Sequence, residues 1–214
     1  MDDFGIFTVS QAGENNGHGD RAGITVKDMP FGDCTTGNTP LVAEGTAHMH
    51  VGPTGSGDFA EIGWIEWTPG SGIKEHDLFW EVSFNGQGDT AHIFSSGCAG
   101  PPGKVSTFRV GQKGSTTQWA MSYACDGGAF TQIALSQSLG HGAGDPRGET
   151  THHSNPVPTN GLDDHFQNLQ WRDSSDAWNL WGGVGCDDDG GLANFWADVV
   201  SGHEYYTKDG SGFC

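Results

Sequence analysis

The chain has 214 residues, 36 of them Gly and 9 Pro, and a formal net charge of −18. Nine Lys plus Arg against 27 Asp plus Glu provide no basic face for phosphate neutralisation, which argues against nucleic acid as a partner, and no run of about 18 apolar residues is present to cross a membrane as a helix. Leu, Ile, Val and Phe amount to only 38 residues, but eight Trp and three Tyr add rings that each bury roughly 150–250 Å², so the chain reads as a folded, aromatic-rich protein rather than a disordered one.

Short alternating or aromatic-rich runs, separated by Gly, Pro, Asn and Asp clusters, predict strands throughout. In chain order they are 21–27, 45–51, 59–67, 78–84, 90–94, 105–110, 118–124, 130–135, 148–153, 165–171, 192–200 and 203–207. Residues 192–200 also fit one short helix; no other segment shows sustained helical periodicity. Asp126-Gly127, between two strand runs, predicts a hairpin turn, because such turns need positive φ. About a dozen strands at this spacing predict an all-β fold, an antiparallel two-sheet β-sandwich or jelly roll with a concave cleft sheet. Residues 155–161 are the most linker-like stretch, yet strand signals continue on both sides, so 1–214 is expected to form a single domain.

The five cysteines, Cys34, Cys98, Cys125, Cys186 and Cys214, lie too far apart for a CxxC redox or zinc pair. Their wide spacing in a Gly-rich chain with few Lys fits a secreted protein with one or two disulfides and one cysteine left over. Buried free cysteines in an intracellular protein are the alternative. No leader follows Met1, which fits either a trimmed mature chain or a protein that stays inside the cell.

The most informative run is 59–67. In a strand Phe59, Glu61, Gly63, Ile65 and Trp67 share one face, and Ala60, Ile62, Trp64 and Glu66 the other. Glu61 is thus a carboxylate on a mostly apolar row, a candidate for proton transfer, and Gly63 beside it removes a side chain where a substrate backbone could approach. The bland alternative is a strand-edge glutamate reaching solvent. Glu149 follows Gly148 and opens a polar strand, which taken singly is an ordinary surface acid. Two glutamates on neighbouring strands of one sheet could share a proton, one activating water while the other polarises the substrate. In 78–84, Glu81 points away from the Leu78, Trp80, Val82 row and could line the same cleft as Glu61.

Three short motifs, in this order, resemble a known family: Gly19-Asp20-Arg21-Ala22-Gly23-Ile24-Thr25-Val26, then Ala60-Glu61-Ile62-Gly63-Trp64, then Gly148-Glu149. The set is similar to the neprosin-type glutamic peptidases and, in layout, to the fungal eqolisin-type enzymes, over roughly residues 19 to 172. It departs from the neprosin pattern at Ala47-His48-Met49, where those enzymes carry Gln-x-Trp, and at Arg147, ahead of the second Glu. The resemblance implies an antiparallel β-sandwich, acid-pH hydrolysis of a peptide or protein substrate, no cofactor, and Glu61 with Glu149 as the catalytic pair. Trp64, Trp67, Glu81 and Gly63 are then the expected substrate-binding residues. A non-catalytic carbohydrate-binding or structural sandwich is the alternative.

Histidines offer a competing metal reading. His48 and His50, two apart, share a strand face, and His92 or Glu61 could complete a site resembling part of the cupin pattern. The glutamate and histidine spacings of that pattern are not met, so no metal is expected there. Asp187-Asp188-Asp189-Gly190 lacks the alternating acid spacing that wraps Ca²⁺ and reads as a solvated turn. Oligomeric state is open at this level.

Overall fold

The computed structural model describes residues 3–10, 17–25, 44–52, 58–67, 75–84, 91–95, 98, 103–139, 143–152, 164–187 and 195–209. Among them are fifteen strands and no helix. The strands are β1 (Asp3–Ser10), β2 (Gly19–Thr25), β3 (Glu44–Gly52), β4 (Phe59–Trp67), β5 (Glu75–Ser83), β6 (His92–Phe94), β7 (Val105–Gln112) and β8 (Gln118–Cys125). They continue as β9 (Thr131–Ser138), β10 (Ala143–His152), β11 (His165–Arg172), β12 (Trp178–Leu180), β13 (Gly185–Asp187), β14 (Phe195–Ser201) and β15 (Glu204–Asp209). The short-helix alternative for 192–200 is overturned, since Phe195–Ser201 is a strand paired with β15.

Two antiparallel sheets form a β-sandwich. The first runs β13-β1-β10-β3-β4-β5-β6 and the second β14-β15-β11-β2-β7-β8-β9, with β12 added on β11. Strand alternation decides what each sheet buries. From β4 the inner row is Ala60, Ile62 and Trp64; from β2 it is Ala22 and Ile24; from β7 it is Phe108 and Val110. These rows meet in one cluster that also takes in Met49, Leu78, Trp119, Met121, Phe166 and Tyr205. Trp64 meets Phe108 edge-on across the gap, with ring centroids 6.0 Å apart, while Phe166 and Tyr205 stack at 4.8 Å on neighbouring strands. Much of the aromatic surplus in the composition therefore lies in this core. Each such ring contributes about 1.5–3 kcal/mol or more by leaving water.

The Asp126-Gly127 turn forms as the sequence predicts. Both residues have positive φ, 46° and 76°, and the Gly128 N–H donates to the Cys125 carbonyl at 2.7 Å. Cys125 also bonds Cys98, tying the end of β8 to the segment ahead of β7 with Cα atoms 5.2 Å apart. This disulfide fits an oxidising compartment. Cys34, Cys214, residues 155–161 and 188–190 lie outside the described residues. Among the described residues no helix is long and apolar enough to cross a membrane.

Candidate active site

The site is built on the outer side of the first sheet. On β4 the row Glu61, Gly63, Ile65 faces away from the inter-sheet core, because its alternates Ala60, Ile62 and Trp64 fill that core. This outer row is itself well covered. Glu61 is 8% exposed, and Ile65, Phe79, Asp77 and Ser83 on the same side are buried too.

The register assembles the row into three rungs. The first joins Asp145 on β10, His50 on β3, Glu61 on β4 and Glu81 on β5. The second joins Arg147, His48, Gly63 and Phe79. The third joins Glu149, Thr46, Ile65 and Asp77. Glu61 and Glu149 therefore occupy positions on the same side of the same sheet. They are not on neighbouring strands, because β3 lies between β10 and β4. Glu149 stands two strands across and four residues along from Glu61, a backbone offset of roughly 10 Å by 13 Å at ordinary strand spacings.

Glu81 is the carboxylate directly opposite Glu61. Opposed residues in an antiparallel pair have Cα atoms about 4.5–5.5 Å apart, so Glu81 is placed directly beside Glu61. Gly63 sits in the middle rung between His48 and Phe79 and leaves the sheet without a side chain at that point. Trp67 ends the row, in register with Glu44 and Glu75. Trp64 lies elsewhere: its ring is 2% exposed, on the core side of β4 and against Phe108. Its place is in the packing that holds the two sheets together.

Asp77, on this side, is not singled out by the sequence reading. Asp77 is 7% exposed and accepts a hydrogen bond from Ser95 Oγ at 3.0 Å. The signal was present as the alternation Glu75, Asp77, Phe79, Glu81, three acids at period two on one strand.

The histidines separate. His50 is in register with Glu61, and His48 with Gly63. His92 is opposite Trp80, whose ring it stacks on at 3.9 Å. Trp80 alternates with Phe79 and Glu81, so His92 belongs to the other side of the sheet from Glu61 and cannot complete a site with His48 and His50. Among the described residues no group of three or more His, Cys, Asp or Glu side chains is arranged to hold a metal ion.

The chain is similar over 98% of its length to 98% of the crystallised Scytalido-glutamic peptidase bound to a peptide-based transition state analog, with a TM-score of 0.57 and 11% identity. At that identity the likeness is one of fold. No family model matches the chain, and no curated protein matches it.

Proposed function

We propose that the chain is a secreted glutamic-type endopeptidase, active in acid, that hydrolyses peptide bonds with Glu61 and Glu149 and works as one domain over 1–214. The observation that carries this reading is the register, in which both glutamates fall on one side of one sheet, in a sandwich that shares its fold with an enzyme crystallised around a peptide-based analog. Glu149 acts as general base and takes a proton from water as its oxygen attacks the carbonyl carbon. Glu61 polarises the carbonyl oxygen and returns a proton to the leaving nitrogen. The two roles can exchange, since both groups are carboxyls. Their backbones lie roughly 16 Å apart, so both side chains must reach inward to act on one peptide bond, with Glu81 as the acid that trades a proton with Glu61. Gly63 and Trp67 on the same row line the substrate path. Water is the nucleophile, so the reaction needs no cofactor.

The test is digestion of a denatured protein at roughly pH 3 to 5, comparing wild type with Glu61→Gln and Glu149→Gln; each variant should lose at least about a hundredfold in rate. Equal digestion by wild type and either variant removes that glutamate from the reaction.

A second reading, a non-catalytic carbohydrate-binding or structural sandwich, is favoured by one observation: β3 separates the two glutamates. It predicts no cleavage by wild type at any acid pH, together with polysaccharide binding that survives Glu149→Gln.

A further inference from the structure

The outer side of the second sheet carries a cluster of a different kind. The chain has four arginines, and three of them, Arg21, Arg109 and Arg172, come together there from β2, β7 and β11. Arg21 and Arg109 are directly opposed in the β2–β7 pair. Like charges in that position are destabilising, and with 27 acids in the chain a carboxylate opposite either one was available.

Arg21 and Arg109 are held but not neutralised. Arg21 donates from Nε and Nη2 to the Gln170 side-chain oxygen at 3.0 and 2.5 Å, and its guanidinium lies 4.5 Å from the centroid of the Trp178 ring. Arg109 has a long hydrogen bond to Ser122 Oγ at 3.4 Å and lies 4.2 Å over Phe130. Neither has a carboxylate partner among the described residues. Arg172 crosses above Gly111, where a Cβ would stand 3.9 Å from its Nη1, and donates to the Gln112 carbonyl at 2.8 Å. Its other nitrogen meets Asp176 at 3.1 Å, and the same partly exposed carboxylate meets His18 at 3.0 Å, so of the three arginines only Arg172 has a carboxylate, and that one is shared. Burial, together with Arg21 and Arg172, lowers the Arg109 pKa, as repulsion among clustered cations requires.

Aromatic rings behind two guanidiniums fix their planes and leave most of ten N–H donors uncommitted. We propose that Arg21, Arg109 and Arg172 form a binding site for a doubly charged oxyanion, phosphate or sulfate, either free or as a monoester. A dianion matches the uncompensated charge better than a single carboxylate. A long polyanion is disfavoured, because a molecule of net charge −18 repels it everywhere else.

The experiment is thermal denaturation near neutral pH at constant ionic strength, titrating sodium phosphate, sodium sulfate or glycerol phosphate against sodium chloride. Wild type should show a saturable rise in Tm with the dianions. Arg109→Gln should bind roughly tenfold or more weakly, the loss of one charge-assisted contact, and should have a higher Tm than wild type in chloride because the repulsion is relieved. Arg21→Gln serves as the second variant should Arg109→Gln fail to fold. A response to the inorganic ions alone assigns a free ion, and a response to glycerol phosphate as well assigns an ester ligand. No saturable response in wild type, or the same response in wild type and variant, overturns the proposal; the latter is general salt exclusion.

Discussion

Asp173 shows how much one side chain can settle. It caps the turn between β11 and β12 by accepting from Ser175 Oγ at 2.7 Å, the Ser175 N–H at 2.9 Å, the Ala177 N–H at 3.0 Å and Asn179 Nδ2 at 2.9 Å. The Ser175 hydroxyl first, then Asn179 and the Ala177 amide, pull its pKa down to about 2. A depressed folded pKa gives stability that is present above the unfolded value of about 4 and fades as pH falls through the folded one. The turn therefore stays locked across the acid range proposed for catalysis. Asp173→Asn is expected to lower Tm above about pH 4, with the difference from wild type closing as pH approaches 2, measured as paired melts across that range. The ladder of donors could not be read from Asp173-Ser174-Ser175, because its last member, Asn179, arrives only when the hairpin closes.

Among the elements, the β8–β9 turn was the most legible, since Asp-Gly carries its own conformational preference. Gly127 sits at φ 76°, and a Cβ built there touches nothing within 4 Å. Gly127→Ala should thus cost only the backbone term, about 1 kcal/mol, read as a shift in urea midpoint with unchanged slope. Gly19 makes the contrast: a Cβ there would come within 2.7 Å of the Val110 carbonyl oxygen and 2.8 Å of Gly111 Cα, backbone that cannot step aside. Strand 59–67 was readable to its ends because an aromatic and β-branched run is bounded on both sides by Gly and Pro turn signals. β12 and β13 were not, because three residues carry no period. The β11 bulge between Gln167 and Gln170, with Asn168 at φ 55°, likewise becomes visible only once β2 sets the pairing.

At the scale of the whole molecule the two sheets are held by rings that meet across the gap. Phe108 is fully buried and lies between Trp64 and the inner row of its own sheet. Phe108→Ala should cost about 3–5 kcal/mol in denaturant unfolding, the penalty of a large cavity that rigid strands cannot collapse into. The outer sides differ in character, with acidic positions along one and three arginines on the other. The amino-acid sequence by itself determined that the protein is all-β, which residues of each strand share a side, and that Glu61 stands on an otherwise apolar row, because alternation and turn chemistry are local. Only the tertiary structure decided that Glu149 joins Glu61's side with β3 in between, that Trp64 points into the core, and that three arginines up to 151 positions apart in the chain converge. Strand order and register arise from packing between distant segments, and no short-range pattern encodes them.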